Sequence, residues 1–472
     1  MERKSYILEN GQTVIKMPRG ENVEFLSEVW FNSTFRQNQL CVEEWAENKI
    51  ALGEAAFLPL EEGEEYTISI TERGVGIAAR DRDCLMRGFM ALAMRMIALE
   101  KDGGCCASLP VGEVHGKFGV GNRMIHLCLF PEHDFIFLRR LIRYYCALQY
   151  THIVLEFWGM YRFSCFPELG WKDKAYSRQQ IELLISEIRA CGAQPVPFFN
   201  SLGHAPCARG CNGKHVVLDQ EPSLAYLFTP DGWAWDITSE TVFKRLKAVR
   251  EELYELFGEG DYMMIGCDEA DVYANGYRSE KEVADYFRRL TAEIVKEGRR
   301  PIIWGDMLLC KATFAVEGEK VFWSCNAKSE EQAEMYRNSL AKGTVIADWQ
   351  YRYAADKARD QKTAIYLKEK GFDVIACPFF DPNVIRATGK TVREYQLFGY
   401  MQTMWDRLHE QPWRAMEGAI QCGLPCELWM EYGEGFSMLS AAMWRKLKSG
   451  DQPYEHVGFN DVQFVKNTRQ SI

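Results

Sequence analysis

From Arg123 to Trp405 the chain repeats one phrase, a short apolar run followed by an amphipathic stretch of helical period. "RMIHLCLF" precedes Leu138, Leu141, Tyr145 and Leu148, and "HIVLEFW" precedes Ile181, Leu184, Ile185 and Ile188. "AQPVPFF" precedes Val242, Leu246, Val249, Leu253 and Leu256, and "YMMIG" precedes Val283, Tyr286, Phe287, Leu290 and Ile294. Apolar runs without polar alternation are strands buried on both faces, and a helix after each supplies the crossover that parallel strands need. Two helices carry start signals: Ser177 with Gln180 and Ser279 with Glu282 match the capping box, and Gly192 closes the first.

"RPIIWGD", "EKVFWS", "GTVIADW", "FDVIAC" and "FGYMQTMW" extend the pattern to nine strand candidates. A closed α/β barrel has eight places, so one is surplus. "EKVFWS" is demoted, because too little helical sequence separates it from "RPIIWGD" for a crossover. No strand leads into a Gly-rich phosphate loop, so a (β/α)8 TIM barrel is preferred to a doubly wound open sheet. Residues 1–112 read as a small α/β domain. "EYTISIT" alternates as a half-buried strand, "GVGIAA" is its hairpin partner, and Leu85, Phe89, Leu92, Met96 and Leu99 recur at helical spacing. The turn-rich "KDGGCCASLPVGEVHGKFGVGN" reads as a linker. The barrel is expected over residues 119–425, its last helix carrying Trp413, Met416, Ile420 and Leu424, with a C-terminal helical extension over 426–472.

The 472-residue chain carries a net charge of -10 and no Lys/Arg-rich block, which argues against nucleic acid or an anionic membrane as partner. No segment approaches the roughly 18 uninterrupted apolar residues of a membrane helix, and "MERKSYILENGQTVIKM" has no apolar leader core. Sixteen irregularly spaced cysteines, several within apolar helical patterns (Cys84, Cys146, Cys191), read as reduced core residues, so a cytoplasmic location is expected. Oligomeric state leaves no trace in the sequence.

The strand ends carry the chemistry. Arg123 enters the first strand; Glu156 with Trp158, Asn200 to His204, Asp268 with Glu269, Trp304 with Asp306, Asp348 to Tyr351, and Trp405 with Asp406 terminate the others. In a (β/α)8 barrel these ends form one mouth, where the active site lies. Adjacent Asp268 and Glu269 can share that pocket only where the strand has ended and the backbone turns, which Gly266 marks. Of two such acids one can stay ionised while the drier one is pushed upward, giving a proton donor and an electrostatic stabiliser.

"MIGCDE", "PFFNSLGHA", "IIWGDM" and "TMW", in that order, resemble the strand ends of family 20 glycoside hydrolases, the β-N-acetylhexosaminidases. The resemblance runs from about residue 65 to 410 and implies a substrate-assisted retaining mechanism, an exception to the ordinary two-carboxylate scheme. It implies Glu269 as general acid and base and Asp268 as the carboxylate that orients and polarises the 2-acetamido group. Tyr351 is the expected hydrogen-bond donor to that group. Trp304, Trp349 and Trp405 are expected as walls, and Arg123, Glu156, His204, Asp306 and Asp406 as further substrate-binding residues. The implied partner is an oligosaccharide or glycoconjugate ending in an amino sugar, with no cofactor and no metal.

Departures from the family pattern are visible. Phe198 and Asn200 stand where its third strand carries acids, and Arg407 replaces the Glu beyond the last tryptophan. These leave open a carbohydrate-binding protein without catalysis. A metal-dependent barrel hydrolase using His204, Asp268, Glu269 and Asp306 also stays open, as does a zinc site on His204, Cys207, Cys211 and His215, although neither shows a standard ligand motif.

Overall fold

The computed structural model describes residues 4–8, 13–16, 41–43, 50–57, 59–95, 97–101, 104–130, 133–205, 215–270, 277–315, 323–351, 361–405, 408 and 412–424. Eight parallel strands close into a barrel: Asn122–Cys128, His152–Glu156, Gln194–Phe198, Tyr262–Gly266, Arg300–Trp304, Val345–Trp349, Asp373–Cys377 and Gly399–Met404. The first strand closes on the last, with Arg123 opposite Tyr400 and Ile125 opposite Gln402. "EKVFWS" has no place in this ring: its first four residues lie outside the described residues, and Trp323 and Ser324 belong to no strand.

Period two along each strand sends Met124, Val154, Val196, Met264, Ile302, Val345, Ile375 and Met401 into one cluster inside the barrel. Their neighbours, Ile125, Ile153, Ile303 and Ile346 among them, face the outer helices. Each such burial contributes about 1.5–3 kcal/mol before chain entropy is counted. Helices Arg178–Ala190 and Glu280–Lys296 begin with the expected capping boxes, with both reciprocal bonds present. The last barrel helix, Pro412–Gln421, buries Ala415, Met416 and Ala419; the expected extension over 426–472 lies outside the described residues.

Before the barrel, Glu64–Thr71 and Gly74–Ala79 form the expected hairpin, covered by helix Arg82–Arg95. Two segments differ from the expectation. The helical pattern was expected to run through Leu99, yet Ile97–Lys101 is a strand, because the apolar spacing of so short a segment suits either period. The supposed linker holds two more strands, Gly104–Pro110 pairing with Ile97–Lys101 and Gly112–Lys117 pairing with Glu64–Thr71. Lys101 pairs with Gly104 at the end of this antiparallel ladder. Its turn residues punctuate a sheet.

Arg123, expected to bind substrate, lies away from the mouth. It begins its strand, so it lies at the end of the barrel opposite the mouth. It is 2 % exposed and donates to both oxygens of Glu65, each at 2.9 Å, and to the carbonyls of Gln149 and Val120. Arg87 donates to the same carboxylate at 2.8 Å. Arg123 thus ties the N-terminal sheet to the barrel floor, and its fork is filled by protein acceptors.

Candidate active site

The fourth strand ends in a strained turn. Gly266, Cys267 and Glu269 all have positive φ, at 66°, 69° and 45°. For the two non-glycine residues this costs on the order of 1–3 kcal/mol each and persists only when the surroundings enforce it. They do. A Cβ at Gly266 would lie 2.2 Å from Asn200 Oδ1, and one at Gly203 would lie 2.0 Å from the Asp268 carbonyl oxygen. The peptide of Glu269 is gripped at both ends: its N–H donates to Asp306 Oδ2 at 2.9 Å, and its carbonyl accepts from Trp233 Nε1 at 2.7 Å. The register slip between Met264 and Gly266 marks where the ladder gives way to this turn.

Asp268 and Glu269 therefore project together. His204, itself at φ 53°, places Nε2 3.1 Å from Glu269 Oε2 and 3.5 Å from Asp268 Oδ2. Burial alone would lower the His204 pKa, but the charges and hydrogen bonds of Asp268 and Glu269 outweigh it and hold the imidazolium up to about 10. Asp268 is buried, and desolvation raises its carboxyl above the usual range against the pull of His204. The Glu269 side chain is 40 % exposed. The drier acid is Asp268, the opposite of the arrangement in which burial makes the proton donor; the His204 imidazolium beside it favours its ionised form, and Glu269 is the one open to solvent.

These groups open into a cavity of about 430 Å³ lined by Trp158, His204, Asp268, Glu269, Ser324, Trp349, Tyr351, Phe379, Phe380 and Trp405. That size suits a small-ligand site, roughly 300–1,000 Å³. Trp405 donates from Nε1 to the Tyr351 hydroxyl at 2.7 Å. Burial holds the Tyr351 phenol well above its usual range, so its proton stays in place for a ligand.

Of the expected site residues, Asp268, Glu269, His204, Tyr351, Trp349 and Trp405 meet at this cavity. Asp306, Glu156 and Trp304 do not reach it. Asp306 is buried and accepts from Glu269 N, Asn326 Nδ2 (2.7 Å) and Trp349 Nε1 (3.1 Å); desolvation and then Asp268 push it up to about 8. It positions the acid turn and one wall. Glu156 is buried against His126 and Asn200, and Trp304 is part of the barrel filling, 5.8 Å from Trp405. Residues at strand ends point either into the mouth or down into the barrel, a choice composition does not reveal. Asp406 lies outside the described residues, as does Arg407.

The metal-binding alternative meets the same geometry, since Asp306 turns its oxygens to N–H donors instead of joining His204, Asp268 and Glu269 around one point. Among the described residues no cluster of three or more His, Cys, Asp or Glu could hold a metal ion. Cys207 and Cys211 lie outside the described residues, while His215 caps helix Val216–Gln220 and His204 serves the acids. Trp233, His126, Asn326, Phe379 and Phe380 join the site without having been expected from the sequence. Trp233 sits in a long connection without periodicity, and only His126's place inside an apolar strand, where a polar residue is costly, hinted at a role.

The raised His204 sets a pH dependence. A histidine whose folded pKa exceeds its unfolded value contributes stability below about 6.5, lost as pH climbs through about 10. Asp306 acts in the same sense up to about 8. The melting temperature is expected to fall by several degrees between pH 8 and 10, and His204→Asn should flatten that interval. Parallel melting curves of the two proteins in that interval would show His204 to be uninvolved.

Residues 155–449 match the model of the glycosyl hydrolase family 20 catalytic domain. Among curated proteins none matches the chain. Solved structures that it resembles include the exo β-N-acetylglucosaminidase of Vibrio harveyi in complex with N-acetylglucosamine, with 14 % identity and a TM-score of 0.64 over 92 % of this chain and 73 % of that one. The N-acetyl-β-hexosaminidase of Streptomyces plicatus gives 13 % and 0.65 over 94 % and 92 %. The β-N-acetylhexosaminidase of Streptomyces coelicolor gives 14 % and 0.65 over 96 % and 95 %. At such identities the structures speak for the fold, but the family match spans more than half of the chain and takes in the strand end that bears both acids: the protein belongs to glycosyl hydrolase family 20 and is a glycosidase.

Proposed function

We propose that the protein removes terminal β-linked N-acetylhexosamine from oligosaccharides or glycoconjugates, with retention of configuration and with the sugar's own acetamido oxygen as nucleophile. One observation carries this reading: two adjacent acids leave a strained turn into a single aromatic cavity and present themselves differently, Asp268 buried and Glu269 open. Glu269 protonates the glycosidic oxygen as the acetamido oxygen attacks the anomeric carbon. Asp268 accepts from the acetamido N–H and faces the positive charge that develops on the oxazolinium ring. Tyr351 donates to the acetamido oxygen, its phenol oriented by Trp405. Water deprotonated by Glu269 then opens the ring from the face the aglycone left, so two inversions give net retention. His204 balances the two acids, keeping a pair of carboxylates tolerable at short range. Trp158, Trp349 and Trp405 supply apolar walls against which sugar C–H faces pack.

The test compares an aryl β-N-acetylglucosaminide with the plain aryl β-glucoside. The acetamido sugar should turn over at least about 10³-fold faster, because an intramolecular nucleophile is worth that much or more. Equal rates on the two sugars would reject the mechanism. Cys84, Cys146 and Cys191 are free thiols, which supports a cytoplasmic location. Among the described residues no helix is long and apolar enough to cross a membrane.

A further inference from the structure

Glu156 was expected at the sugar, and the structure buries it one layer below, where its two oxygens diverge. Oε1 accepts from Asn200 Nδ2. Oε2 faces His126 Nε2 at 2.8 Å, and since a carboxylate only accepts, that nitrogen carries the proton. Each neighbour continues into a different half of the site. Asn200 Oδ1 lies against the α-carbon of Gly266, in the space a methyl group there would need, and the Asn200 carbonyl is fixed by Trp235 Nε1 at 3.0 Å. The imidazole of His126 packs 4.4 Å, centroid to centroid, from Trp405, whose indole N–H holds the Tyr351 hydroxyl.

We propose that Glu156 is a positioning residue for both halves of the reaction: through Asn200 it holds the Gly266 turn that aims Asp268 and Glu269, and through His126 it seats Trp405 and the Tyr351 phenol. The inference rests on the substrate-assisted reading above and assigns Glu156 no contact with sugar. Both neighbours present N–H donors, so only a carboxylate satisfies them together. The amide in Glu156→Gln accepts on one side alone. On the other side either the Asn200 amide must flip, or the His126 proton must move to Nδ1, which has no partner among the described residues.

The experiment measures kcat, KM and melting temperature on aryl β-N-acetylglucosaminides with good and poor leaving groups, for wild type, Glu156→Gln, Glu156→Ala and Leu184→Ala. Leu184 is a buried residue of helix Arg178–Ala190, on the outer layer of the barrel, and serves as the stability control. Misplacement of reacting groups by about an ångström costs on the order of 100-fold, so Glu156→Ala should lose about that in kcat with KM changed less than about threefold, and Glu156→Gln about tenfold. The loss should appear with both leaving groups, because the acid and the acetamide partner move together. Leu184→Ala should lower the melting temperature while folded enzyme keeps its kcat. If Glu156→Ala proves insoluble, Glu156→Gln alone decides. A kcat within about twofold of wild type in the variants, or a loss that vanishes once the folded fraction is counted, overturns the role of Glu156. So does a glutamine variant as poor as the alanine one. Wild type inactive on the acetamido sugar overturns the functional reading itself, whereas active wild type with unimpaired variants overturns only this inference.

Discussion

Glu269→Gln is expected to lower kcat/KM on a β-N-acetylhexosaminide with an unactivated leaving group by about 10²–10⁴, the usual worth of a positioned general acid. The amide keeps the size of the side chain, and the backbone bonds that Glu269 makes to Asp306 and Trp233 do not involve the replaced group. The fold should survive. The loss should shrink as the leaving group improves, because a nitro-substituted phenolate departs without a proton. Azide should then restore turnover with that substrate: a small anionic nucleophile needs no base, and the product should be the β-glycosyl azide. A variant as active as wild type on the poor leaving group would remove Glu269 from the mechanism.

Asp268→Asn should cost about 10²–10³ in kcat, the scale on which one electrostatic partner of a developing charge acts. Two features separate it from the first variant. Its loss should be independent of the leaving group, because Asp268 acts on the acetamido group and not on the aglycone. It should also weaken the hold on the His204 proton, since Asp268 is the largest influence raising that imidazolium. The alkaline loss of stability described for wild type should therefore be smaller and be complete at lower pH. Equal impairment of a substrate lacking the acetamido group, where no oxazolinium can form, would show that Asp268 serves some other purpose.

The buried site explains why these two neighbours do different work. Asp268 sits in a dry setting, where its charge acts through little screening, and His204 supplies the countercharge. Glu269 stands at the opening, where an aglycone leaves and a water enters. Asp306 secures the arrangement from behind by accepting the Glu269 N–H and the Trp349 indole N–H at once.

Much of this architecture can be read in one dimension. Runs such as "YMMIG" and "RPIIW" are apolar at every position because both faces of a barrel strand are buried, and Ser177 with Gln180 and Ser279 with Glu282 mark helix starts by bonds that span only three residues. Asp268 and Glu269 were legible for the same local reason: adjacent acids after Gly266 can share a pocket only across a turn. What needed the folded chain was direction and depth. Arg123, Glu156, Trp304 and Asp306 were all expected at the sugar. The first lies at the opposite end of the barrel under Glu65, and the other three lie beneath the cavity. Whether a residue at a strand end faces ligand or floor is set by strand tilt, the register slip at Gly266 and neighbours distant in sequence, such as Tyr351, whose hydroxyl accepts from the Trp405 indole 54 residues further on. Local propensity and hydrophobic period act over a few residues and so survive in the sequence; partnership across the barrel is a property of packing, which exists only once the ring has closed.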